Sequence, residues 1–223
     1  MNAPAPDNPQ LRLPLTQDAP QRAIDLAVSP SNAAAVAALA TWPEAPGAVL
    51  AVFGPPGCGK SHLAAAWVER TGAVALHGAE AALIDPLELE GRAVLLDRAQ
   101  DADDESLFHL INLTQSGGGA LLLVSRDPPA AWETALPDLR SRLNAIRTVG
   151  VEAPDDLVFA AMLRRAFASR NITPAEDVID YLVRRIDRSA DAADRIVDRL
   201  DAQHRPVTRV LARQVLDGDD APA

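Results

Sequence analysis

The run Gly54-Pro55-Pro56-Gly57-Cys58-Gly59-Lys60-Ser61 constrains this chain more than any other feature. It fills the pattern G-x-x-x-x-G-K-[ST], and the apolar hexapeptide before it, residues 48–53, reads as a buried strand. Residues 62–68, beginning His62-Leu63-Ala64, are good helix formers. Strand, glycine-rich loop and helix in that order form the context a phosphate-binding loop needs. The glycines let backbone N–H groups turn inward around an anion. The helix start adds its own free N–H groups and the positive end of its dipole. Lys60 is expected to reach the outer phosphates of a nucleotide, and Ser61 to ligate Mg²⁺.

The rest of the chain divides around this loop. Residues 1–22 are rich in Pro, Gln, Asn and Asp and are expected to form a mobile tail. Within it lies an apolar island, Gln10-Leu11-Arg12-Leu13-Pro14-Leu15. Leucines at alternate positions suit an extended peptide, and Pro14 forbids a helix through it. Two readings stand: an arm packed on its own domain, or a linear motif that docks in a partner's groove. Residues 23–150 alternate helices and strands. Ser31-Asn32 caps an alanine-rich helix, and strands follow at residues 48–53, 74–77, 92–97 and 120–125. A partly helical connector over residues 83–89 and a helix over residues 104–114 are expected between them. Such alternation predicts a mostly parallel α/β sheet covered on both faces. From residue 151 to 223 the strand signal ends, and helices are expected over residues 154–169, 174–186, 190–202 and 207–216, a small all-α unit.

Bulk composition narrows the function classes. The formal net charge of −10 disfavours autonomous binding to duplex DNA, although a local basic patch stays open. The single cysteine, Cys58, lies inside the loop and has no intrachain partner, which fits a reducing, cytoplasmic setting. Cys/His spacing gives no zinc pattern, and no apolar stretch approaches membrane-spanning length.

Hydrolysis needs more than a phosphate cradle. It also needs a metal-associated carboxylate, a group that orients water, and positive charge for the transition state. Asp97 ends an apolar strand downstream of the loop, the place for a Walker B acid. The next residue is Arg98, where many ATPases of this architecture carry an acid; strong intrinsic turnover is therefore not expected. Asp101, Asp103, Asp104 and Glu105 read as helix-start charges. Ser125, at the end of the following strand, can meet the γ-phosphate or simply close the strand. In residues 136–143, Arg140 and Arg142 sit beside apolar anchors. An arginine so placed can act as a finger in a neighbour's site or make a surface salt bridge.

Together these segments resemble the AAA+ family, and within it the DnaA-like branch. The resemblance covers roughly residues 20–217. Phe53 through Leu63, with the His62-Leu63 pair, looks like that branch's Walker A segment. Leu95-Leu96-Asp97 looks like its Walker B, Leu123 through Pro129 like sensor 1, and residues 136–143 like the arginine-finger box with Arg142 at the finger position. The resemblance implies an AAA+ P-loop NTPase core and a helical lid. It also implies ADP or ATP held by Gly54, Pro55, Pro56, Gly57, Cys58, Gly59, Lys60, Ser61 and His62, with Mg²⁺ on Ser61 and Asp97.

The island at residues 10–15 is similar to the sliding-clamp-binding peptide Q-L-x-L-P-L. That peptide beside a DnaA-like core, with the chain ending after the lid, is the layout of the branch's clamp-linked inactivators of DnaA. Four expectations follow from that layout. The DNA polymerase III β sliding clamp binds Gln10, Leu11, Leu13, Pro14 and Leu15. DNA is reached indirectly through the clamp. DnaA is the partner whose ATP hydrolysis Arg142 promotes in trans. The chain can self-associate as a homo-oligomer. The alternative is an autonomous ATPase of the helicase-loader type. Three positions differ from the family pattern: Arg98, the order Arg126-Asp127 after Ser125, and Asp191 where a sensor 2 arginine is usual, with Arg188 and Arg195 one turn to either side.

Overall fold

A computed structural model describes residues 26–218. Five strands form one parallel sheet: β1 (Ala48–Phe53), β2 (Val74–His77), β3 (Ala93–Asp97), β4 (Ala120–Ser125) and β5 (Arg147–Gly150). Their spatial order is β2-β3-β4-β1-β5. β4 lies between β3 and β1, and all six of its residues are buried. That burial explains why Ala120-Leu121-Leu122-Leu123-Val124 is apolar without alternation: a strand covered on both faces has no solvent side.

Successive side chains still diverge. Leu122 and Val124 join Leu50, Val52 and Trp67 on one face. Leu121 and Leu123 join Leu96, Ile111 and Leu139 on the other. The first face is covered by α1 (Ala33–Thr41) and α2 (Lys60–Thr71), the second by α3 (Asp104–Gly117) and α4 (Pro137–Ala145). Asp103 caps α3 by accepting the Ser106 N–H at 2.9 Å, and that bond holds its carboxyl below the usual range.

Four sequence-expected strands form as read. The fifth, β5, pairs with β1 along Leu50–Phe53 and was not apparent from composition. Its residues are largely exposed, so the apolar signal of a buried strand is absent. Asn32 differs in detail from a simple cap. Its Oδ1 accepts the Ser29 N–H and its Nδ2 donates to Ala27 O, so the amide ties down the segment before α1 instead of the helix itself.

Helices α5 (Asp156–Ala168), α6 (Glu176–Val183), α7 (Ala190–Asp201) and α8 (Arg209–Asp217) share a separate apolar core built on Phe159, Leu163, Phe167, Leu182, Val197 and Leu200. Ser189 and Thr208 cap α7 and α8 through their side-chain oxygens. Asp155 caps α5 and is also bonded by Ser29, which joins this layer to the segment ahead of α1. Those two bonds, the Ser29 hydroxyl first, hold the Asp155 carboxyl below its ordinary value. Among the described residues no helix is long and apolar enough to cross a membrane.

Candidate nucleotide site

The loop between β1 and α2 is shaped by its glycines. Gly54 packs so closely on Val151 that a Cβ there would lie 2.1 Å from the Val151 carbonyl oxygen. Gly57 adopts φ +70°, and a Cβ on it would lie 2.6 Å from the Ser189 Cβ of the lid. Gly59 precedes α2 in the left-handed conformation, with no side chain capping the helix. The first N–H groups of α2 are therefore left to an external acceptor.

Lys60 crosses the inside of the loop. Its ammonium donates to Gly54 O and Pro55 O, both at 2.8 Å, and lies 3.7 Å from Cys58 Sγ. It is only 9% exposed. A charge so sheltered needs acceptors, and the two carbonyls supply dipoles where a phosphate would supply full charge. Ser61 Oγ donates to Asp97 Oδ2 at 3.2 Å, while Asp97 Oδ1 accepts the Arg98 N–H at 2.8 Å. The structure thus unites Ser61 and Asp97, 36 residues apart in sequence. Among the described residues no group of three or more His, Cys, Asp or Glu could hold a metal. A hydroxyl plus one carboxylate suits Mg²⁺, which keeps waters and substrate phosphates as its other ligands. The residues present therefore fit a nucleotide phosphate with Mg²⁺.

Arg98 has φ +50°, and its side chain pairs with Asp101 at 2.8 Å. The other nearby acids have structural tasks. Asp103 caps α3, and Asp104 accepts from Thr134 Oγ1 and the Ala135 N–H. Ser125 is buried and donates to Asp127 O at 2.8 Å, an oxygen that Trp132 Nε1 also binds. Ser125 thus closes its own strand end.

Beside the loop lies a narrow cavity of about 30 Å³, bounded by Leu26, Ala27, Cys58, His62, Met162 and Arg165. It has room for little more than water. Helix α5 forms its far wall through Met162 and Arg165. α7 closes from another side: the Ala190 N–H donates to Gly57 O at 2.9 Å. This peptide contact was not legible in the sequence, although Ser189 as a helix cap was a readable sign of where α7 starts. Arg188 pairs with Asp156 of α5, and Arg195 is exposed. The backbone N–H of Ala190, and not an arginine, donates from α7 to the loop carbonyl of Gly57.

Arg142 sits in the last turn of α4 and is half-buried. Its guanidinium lies 5.2 Å from the Phe108 ring centroid, and Nη1 donates to Gln115 Oε1 at 2.7 Å. Both contacts come from α3. The segment carrying Gln10, Leu11, Leu13, Pro14 and Leu15 lies outside the described residues.

Phosphate-loop pattern, strand-end carboxylate, sheet order and the layer of four helices give the chain a fold of the AAA+ type. Its fold is that of domain III of the replication initiator DnaA. The crystal structure of that domain from Thermotoga maritima superposes with a TM-score of 0.74 at 18% identity, covering 92% of this chain and 99% of that one. A DnaA structure described as bound to AMPPCP and single-stranded DNA gives 0.67 at 17% identity, covering 90% of this chain and 69% of its own. In sequence, the chain is 27% identical over 128 residues to DnaA of Thermomicrobium roseum, covering 56% of this chain and 28% of that protein. It is 32% identical over 87 residues to DnaA of Chloroflexus aurantiacus, covering 39% and 18%. The chain thus spans less than a third of the length of these relatives. No family model matches it.

Proposed function

We propose that this chain is a nucleotide-binding regulator of replication initiation, an inactivator of the Hda type. In this reading it holds ADP or ATP through Lys60, Ser61 and the loop backbone, with Asp97 supporting Mg²⁺. It docks on the sliding clamp through Gln10, Leu11, Leu13, Pro14 and Leu15. It then presents Arg142 to the ATP carried by DnaA and promotes its hydrolysis.

The observation that carries the reading is the support of Arg142. Phe108 and Gln115 hold the guanidinium on a rigid helix end, yet Gln115 is its one side-chain hydrogen-bond partner among the described residues. A guanidinium has five N–H donors, so most remain for a foreign phosphate. Orientation fixed in advance is what a transition-state cation requires. The chain's own site supports the same division of labour. Arg98 follows Asp97, and Asp101, Asp103 and Asp104 are each engaged in structural contacts. The phosphate-loop pattern is complete, while these three neighbouring carboxylates are held by the protein itself and not left to orient water.

The test measures hydrolysis of DnaA-bound ATP with clamp-loaded DNA, with and without this protein. Wild type is expected to accelerate it. Arg142→Ala should retain clamp binding and nucleotide but lose stimulation by about 10³-fold or more, the scale of a finger in trans. Undiminished stimulation by the variant ends the assignment.

A further inference from the structure

Among the described residues, the three most exposed large apolar side chains, Leu83, Leu87 and Val210, lie in two regions of opposite charge. The first lies past the edge strand β2, where two short 3₁₀ turns, Gly78–Leu83 and Pro86–Leu89, pack beside α3. Ala81 and Leu89 turn inward and are buried, which anchors the turns. Leu83 and Leu87 turn outward and are 82% and 69% exposed. Glu80, Asp85, Glu88 and Glu90 flank them along the chain, all exposed, and residues 73–91 contain no Lys or Arg. Among the described residues, Glu80, Glu88 and Glu90 form no ion pair.

The second patch lies on the lid. Val210 of α8 is 67% exposed, with Arg209 before it and Arg213 one turn on. Arg185, two residues past the end of α6, joins them. Its guanidinium lies 4.2 Å from the Tyr181 ring centroid, and that of Arg209 lies 5.3 Å from the same ring. Two cations lie against one aromatic ring, and among the described residues no carboxylate forms an ion pair with either. Arg213 reaches Asp217 at 3.2 Å, the one acid on that stripe.

We propose that the Leu83–Leu87 patch of one copy receives the α8 face of a second copy. Val210 meets the two leucines, and Arg185 and Arg209 meet the carboxylate rim. An apolar centre inside a charged rim is the usual anatomy of a protein contact. Pairing leucine patch with leucine patch would oppose eight carboxyls across a two-fold axis, and like charges so placed select against it. The contact is therefore heterologous, and it leaves one free patch of each kind on the outer copies. It involves few residues, which puts it among transient contacts, and its ionic rim makes it salt-sensitive. It uses neither the phosphate loop nor Arg142, so it stands apart from the proposed function.

The experiment is sedimentation velocity on the full chain over rising protein concentration, at low and high salt. Average mass is expected to rise with concentration at low salt and fall back at high salt. Two variants divide the interface: Leu83→Ser with Leu87→Ser, and Val210→Ser with Arg209→Glu. These positions are exposed, and circular dichroism checks that each variant folds. Each alone should remain monomeric. An equal mixture should form a one-to-one pair that grows no further, because only one contact of the right kind survives. Association untouched by either variant, or a mixture that forms no pair, overturns the proposal. A wild type that stays monomeric throughout also overturns it.

Discussion

Replacing Gly57 with alanine tests whether the lid is latched to the phosphate loop. Gly57 sits at φ +70°, and its carbonyl accepts the Ala190 N–H at 2.9 Å. A methyl group would lie 2.6 Å from Ser189 Cβ and 3.2 Å from Ala190 N, so the lid must shift or the loop must refold. A left-handed backbone costs a non-glycine residue about 1–2 kcal/mol. Losing the hydrogen bond adds about 1 kcal/mol. The expected destabilisation is about 2–3 kcal/mol, read from urea unfolding, or roughly 5–10 °C in melting temperature for a chain of this size. Hydrogen exchange at the Ala190 amide should accelerate in step. Ser189→Gly removes the opposing Cβ and weakens the α7 cap by only a few tenths of a kcal/mol. Combined with Gly57→Ala it should recover about 1 kcal/mol, the part of the cost that comes from the lid. If Gly57→Ala costs the same in both backgrounds and Ala190 exchange is unchanged, the lid does not bear on the loop and the reasoning fails.

Three further outcomes follow from the same geometry. Lys60→Ala removes the ammonium held by Gly54 O and Pro55 O, and should abolish nucleotide binding measured by calorimetry while the fold persists by circular dichroism. Phe167→Ala empties a fully buried site in the lid core and should cost about 3–5 kcal/mol in urea unfolding. Acid should loosen the Ser29–Asp155 tie. The Asp155 carboxyl is held below its unfolded value, so its stabilisation is complete above about pH 3.9 and disappears as pH falls through the folded value. Asp155→Asn should therefore lose less stability than wild type between neutral pH and pH values below that threshold, measured by urea midpoints.

The phosphate loop and four strands were legible because their signals are local. Gly54 through Ser61 carry the glycine pattern that lets a strand-to-helix turn point its backbone N–H groups inward. β4 was legible because a doubly covered strand is apolar throughout. β5 was not, because Arg147 and Thr148 lie at an open edge where pairing with β1 uses backbone groups and leaves no mark on side-chain choice. Asp97 was assigned from its place at a strand end, but its contact with Ser61 depends on neighbouring β1 and β3 flanking β4.

By itself, the amino-acid order determined most stretches that turn, coil or extend, and which positions carry the pattern of a phosphate-binding loop. These depend on preferences within a few residues of chain. Tertiary structure alone decided that Ala190 reaches Gly57, that Phe108 and Gln115 steady Arg142, and that Asp101, Asp103 and Asp104 are already engaged. Such contacts join segments tens of residues apart. Packing geometry, not local propensity, sets which of them meet.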